Sequence, residues 1–110
     1  ALLVVSLCCG ACSKAPKEKE NVEGATLFAN SCARCHGAAG AGGLPATDGG
    51  PAPRNFRDHA FQAARSDAEL RLAIVNGKGT AMPAFGALFT DGQLDALVRQ
   101  IRSFDGGGHP

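Results

Sequence analysis

All-α is the fold class the sequence predicts, and three observations carry it. Ser66 with Glu69 and Thr90 with Gln93 form capping boxes, each opening a run with apolar residues at helical spacing. Glycine and proline crowd the stretches between such runs. No segment alternates apolar and polar residues as a half-buried strand would. A chain of 110 residues with six Phe, no Trp and no Tyr builds one small domain at most. A core so short of aromatics needs a disulfide set, a metal or another bound group to hold it. The net charge of +1, with Lys and Arg scattered, points to no nucleic acid and no strongly charged partner.

Taken in order, residues 1–12, "ALLVVSLCCGAC", are apolar but shorter than the about 20 residues a spanning helix needs. They read as the end of an export signal without its basic start. "CGAC" resembles the lipobox of bacterial lipoproteins, with Gly10 and Ala11 before a Cys12 that would be lipidated, although Cys9 stands where that motif usually has Leu. Cleavage and release without lipid is the alternative. Residues 13–21 are polar and charged without apolar periodicity, a linker in this reading. Export places the domain that follows, residues 22–105, outside the cytoplasm, in an oxidising compartment on the periplasmic side.

The first helix is expected over residues 22–32, with Leu27, Phe28 and Ala29 as its apolar contribution. The stretch "GAAGAGGLPATDGGPAPRN" is loop, unusually long for a small helical domain. Such loops become sensible if they wrap a large flat prosthetic group that serves as the core. A short turn is expected at "FRDHAFQAAR", with Phe56, Ala60, Phe61 and Ala64 inward. The next helix begins at the Ser66 cap, buries Leu70, Ala73 and Ile74, and stops at Asn76-Gly77. The last begins at Thr90 and carries Leu94, Leu97, Val98, Ile101 and Phe104 on one face. Residues 106–110 read as a flexible tail.

The chemistry lies in "SCARCHGAAG", where Cys32, Cys35 and His36 stand in C-x-x-C-H spacing. A structural zinc site wants four ligands, and only His59 and His109 remain in the soluble part to complete one. Adjacent Cys35 and His36 would also strain to reach one tetrahedron. A thioredoxin-type dithiol wants an α/β fold, and no strands are evident. Covalent haem explains every position. Two thiols three positions apart match the two vinyl groups on one edge of the ring, and the next residue, His36, reaches the iron through an imidazole nitrogen. "GKGT" lacks the pattern of a phosphate loop, and "GAAGAGG" lacks dinucleotide-binding spacing.

With "CARCHG" early, "GKGTAMPAF" late and "DGQLDALVRQIRSF" at the end, residues 22–104 resemble a class I c-type cytochrome, the small monohaem electron carrier. The resemblance implies one covalent haem c, long loops around it, and a first and last helix packed crosswise beside it. Gly24 and Phe28 match the Gly-x-x-x-aromatic pattern of that crossing, while Gln100 stands where many members carry an aromatic.

The iron's sixth position has Met82, His59, His109, a small molecule or nothing to fill it. Met82 is the one methionine and sits in a Gly/Pro loop where no helical stripe asks for filler. Pro83 biases it toward an extended backbone. "MPAF" is also, by the resemblance, a recurrent setting for an axial methionine, so Met82 is the expected ligand with His59 second. The resemblance further implies a proline carbonyl supporting His36, from Pro51 or Pro53. Arg54 or Lys78 are candidates to pair with the haem propionates, against an ordinary solvated charge. Catalytic residues are not expected. The function so read is one-electron transfer to transient redox partners, membrane oxidoreductases or a terminal oxidase, with a lipid anchor at Cys12 holding the domain to the membrane. A haem-based sensor with a displaceable sixth ligand, or an electron-entry subunit of a larger oxidoreductase, are the alternatives.

Overall fold

The computed structural model describes residues 16–44 and 48–107; Cys8, Cys9, Cys12 and His109 lie outside them. Five helices follow one another: α1 (Pro16–Ser31), α2 (Ala33–His36), α3 (His59–Ala64), α4 (Asp67–Asn76) and α5 (Asp91–Ser103). The described residues contain no strand, only an isolated bridge between Lys78 and Met82. The all-α expectation holds.

Both capping boxes are formed. Ser66 Oγ accepts from the Glu69 amide at 3.1 Å while Glu69 Oε1 accepts from the Ser66 amide at 3.4 Å. At α5, Thr90 Oγ1 accepts from the Gln93 amide at 3.2 Å, and Gln93 Oε1 accepts from the Thr90 amide at 2.9 Å. Each box satisfies two donors that a helix start would otherwise leave unpaired.

α1 begins at Pro16, within the stretch expected to be linker. Proline suits the first helical position, and the Lys and Glu residues behind it are good helix formers even without an apolar stripe. Glu20 also meets Arg99 of α5 at 2.8 Å, so this first part of α1 has a partner.

The core is built on α5, whose Leu94, Leu97, Val98 and Ile101 are buried with Phe28, Phe56, Leu70 and Ile74. Gly24 lets α1 lie directly on α5, because a Cβ there would stand 2.5 Å from the Ala96 carbonyl oxygen. Gln100 offers no ring, and Phe104 supplies one instead. Its centroid lies 4.8 Å from that of Phe28, within the range where aromatic pairs attract.

The face assigned to α3 needs correction. Phe56 is buried and Phe61 packs on the core, but Ala60 and Ala64 are exposed, and Gln62 points inward. Its side-chain amide donates to the Phe56 and Ile101 carbonyls at 2.8 and 2.9 Å and its Oε1 accepts from Arg102 at 2.9 Å. Those bonds make burial of a polar side chain tolerable, and they set the helix's rotation. Asp58 caps α3 by accepting from the Ala60 amide at 3.0 Å. In the first helix, likewise, Ala29 is exposed while Leu27 is half-buried.

Candidate functional site

α2 is a single helical turn that puts Cys32, Cys35 and His36 on one side. The Cys35 and His36 amides both donate to the Cys32 carbonyl, at 3.2 and 3.0 Å. Residues three and four apart on a helix are neighbours, so the C-x-x-C-H spacing converges once the segment is helical. All three line a cavity of about 1140 Å³, above the about 300–1,000 Å³ usual for small-molecule pockets.

Another wall of the cavity comes from a different segment. Met82 lines the same cavity and sits half-buried in a loop held at both ends. The Lys78 amide donates to the Met82 carbonyl at 2.9 Å, and the Met82 amide donates to the Lys78 carbonyl at 3.2 Å. The Phe85 and Gly86 amides then tie the chain back to the Ile74 and Val75 carbonyls at 2.9 and 3.1 Å. Gly77, with φ of 71°, makes the turn out of α4, and a Cβ there would overlap the Met82 carbonyl.

His36 is positioned from two sides. Its Nδ1 lies 3.2 Å from the Arg54 carbonyl, and its ring stacks on Phe56 with centroids 4.4 Å apart. The expected proline carbonyl is therefore not the partner here. Pro51 and Pro53 line the cavity, but the chain brings the carbonyl one residue beyond Pro53 to the ring. Burial lowers the His36 pKa from its ordinary value, against the opposing pull of that carbonyl. A neutral imidazole with one nitrogen held by a carbonyl is a ready metal ligand.

Electrostatics separate the three readings of the cysteine pair. Burial first, and the neighbouring Cys35 second, push the Cys32 thiol up to about 11. Dithiols built for exchange have the opposite shift. Among the described residues no group of three or more His, Cys, Asp or Glu is placed to hold a metal ion. Both cysteines are free.

A large flat apolar group with carboxylates suits what remains. Leu70, Ile74, Phe56 and Phe85 face the cavity, as does Leu72, which is 56% exposed and gains nothing by facing water. Arg54 and Lys78 also line it. His59 does not: it is paired with Asp105 at 3.0 Å. Sequence reasoning missed Phe56 as the ring behind His36, and Arg34 and Arg65 as lining residues. The adjacency of Phe56 to "PAPRN" was the available signal.

The family described as cytochrome c oxidase, cbb3-type, subunit III matches residues 19–101. The cbb3-type cytochrome c oxidase subunit FixP of Azorhizobium caulinodans is 31% identical over 85 residues, which are 77% of this chain and 27% of that protein. The chain thus spans about a quarter of that relative. Among solved structures, the KustC0563 c-type cytochrome superposes with a TM-score of 0.63 at 31% identity, covering 74% of this chain and 96% of the other.

Proposed function

The chain belongs to the cytochrome c oxidase, cbb3-type, subunit III family, and we propose that within it this domain carries single electrons on one covalently held haem c. The observation that carries this reading is that Cys32, Cys35, His36 and Met82, brought from two separate segments, line one cavity of about 1140 Å³. Cys32 and Cys35 would hold the group through thioethers, with His36 and Met82 as the two axial ligands. The group when bound supplies one-electron chemistry between ferric and ferrous iron, and a thioether ligand raises its potential.

The chain's own residues bind, orient and exclude. α2 fixes the two sulfurs and the imidazole in one turn. The Arg54 carbonyl holds the His36 ring and leaves its other nitrogen for the iron. The Lys78–Met82 bridge presents the thioether, and Phe56, Leu70 and Ile74 keep water from the site. Arg54 and Lys78 are suited to carboxylates at the cavity mouth. In this reading the domain carries electrons and acts on no substrate of its own.

A second reading has specific support: the family and the similarity to FixP both favour an electron-entry domain of a terminal oxidase. Its partners are then membrane oxidoreductases, met on the periplasmic side after export. Among the described residues no helix is long and apolar enough to cross a membrane. Lipidation of Cys12 is the proposed attachment, with mass spectrometry of the native N-terminus as its test.

Absorbance of the reduced protein with and without carbon monoxide tests the ligand set. A spectrum unchanged by the gas is expected, whereas immediate binding would favour the sensor. Acid–acetone extraction should leave the colour with the polypeptide; free extraction refutes covalent attachment.

A further inference from the structure

Among the described residues Gln62 is the one buried polar side chain, 4% exposed, and both ends of its amide are engaged. Nε2 donates to the Phe56 and Ile101 carbonyls at 2.8 and 2.9 Å, and Oε1 accepts from Arg102 at 2.9 Å. Arg102 is itself held, donating to the Gln62 and Arg65 carbonyls at 2.6 and 2.5 Å and to Asp67 at 2.8 Å. The amide therefore cannot swing. A leucine would fill such a core position without the cost of desolvating an amide. What the amide adds is a fixed hold on the Phe56 backbone.

That hold reaches the site. The Phe56 amide donates to the Gly40 carbonyl at 2.7 Å, so with Gln62 on its carbonyl both backbone groups of Phe56 are tied. Residues 53 and 54 lie against Gly42, where a Cβ would stand 2.5 Å from the Pro53 oxygen and 2.9 Å from the Arg54 oxygen. The Gly42 amide in turn donates to the His36 carbonyl at 2.7 Å. This one short segment supplies two groups that hold the His36 ring. The Arg54 carbonyl sits at its edge, 3.2 Å from Nδ1, and the Phe56 ring lies on its face, 17° from parallel. A hydrogen bond of 3.2 Å is at the long end of the N–H···O range. By itself it leaves the imidazole room to turn about the axis through its metal-facing nitrogen. A ring stacked on the face blocks that turn.

We propose that Gln62 is a positioning residue for the iron's imidazole: through the Phe56 backbone it fixes the segment that sets the rotation of the His36 ring. The proposal rests on the carrier reading above. A carrier gains from such a hold, because a ligand kept in one orientation has less to rearrange on each transfer.

The test is proton NMR of the ferric holoprotein, whose haem ring-methyl resonances follow the rotation of the axial imidazole. Gln62→Leu keeps the bulk and removes the amide. It should shift and reorder those resonances. Exchange of the His36 ring N–H with solvent should also speed about fivefold, the worth of a typical net hydrogen bond. Val98→Ala truncates a core residue that does not line the cavity, and should lower Tm while leaving the methyl pattern in place. Phe56→Leu should shift the resonances too, and adding Gln62→Leu to it should do little more, since the two share one route. Where Gln62→Leu lowers the holoprotein yield, Gln62→Glu keeps the oxygen that Arg102 holds and removes both donors. Three results refute the positioning role and leave the carrier reading standing. Gln62→Leu lowers stability with resonances and exchange at parental values, or Val98→Ala shifts them alike, or the two substitutions add in full. A chain that holds no haem by its thioethers overturns both.

Discussion

Gly24→Ala should loosen the joint between α1 and α5, and the structure fixes how much. The added methyl would stand 2.5 Å from the Ala96 carbonyl oxygen and 3.0 Å from its carbon, where ordinary contact begins at 3.4 Å. Backbone cannot rotate aside as a side chain can, so α1 must withdraw by about 1 Å, enough to forfeit a quarter to a half of each affected dispersion contact. Phe28, 2% exposed, and Leu97, fully buried, lie in that joint. Overpacking of this kind costs about 1–3 kcal/mol. Alanine returns about 0.5–1 kcal/mol as the better helix former. The difference is a net destabilisation of about 0–2.5 kcal/mol, centred on about 1 kcal/mol, which is a fall in Tm of about 4–8 °C for a domain this size. Circular dichroism melts of the holoprotein measure it, with Gly92→Ala as control. Gly92 has nothing within 4 Å of its would-be Cβ, so that substitution should hold or raise Tm. A Gly24→Ala protein melting at or above the parent would refute the close approach.

Gln62→Leu should lower the urea midpoint by an amount equivalent to about 1–3 kcal/mol, because the Phe56 and Ile101 carbonyls lose their donor in the core. Met82→Ala should leave the colour attached while the reduction potential falls and carbon monoxide binds; silence in both would reassign the sixth position, and His59→Ala would then be the variant to examine. Gly77→Val keeps the sulfur but forces a β-branched side chain into φ of 71° against the Met82 carbonyl. It should mimic Met82→Ala in part, seen as a weakened ferric sulfur-to-iron band. Cys32→Ser should cut the yield of coloured protein sharply, whereas equal yields would mean the thioether is dispensable.

The boxed starts of α4 and α5 were the most legible part of the sequence, because a capping box is a local device and folds as written. Ser66, Thr90 and the stripe from Leu94 to Ile101 all stand where spacing put them. The rotation of α3 was not legible, since Gln62 is turned inward by carbonyls 6 and 39 residues away in sequence. The beginning of α1 was missed because its partner, Arg99, is 79 residues distant. At the site, residue type and spacing singled out Cys32, Cys35, His36 and Met82, and all four line one cavity. The carbonyl behind His36 was not legible: every residue has one, and only the path of the loop selects that of Arg54.

The pairing of α1 with α5 also sets an order of events in the life of the chain. Its contacts join residues 70 and 79 positions apart, Glu23 to Gln93 and Glu20 to Arg99. At about 5–20 residues per second, synthesis delivers α1 several seconds before the helix it needs. Until α5 has emerged, the Gly24 face has nothing to close on, and a short helix left alone is marginal in water. The turn bearing Cys32 and Cys35 continues directly from α1, so it too waits for that support over the same interval. Closure by the C-terminal helix is then the late step that completes the support for that turn.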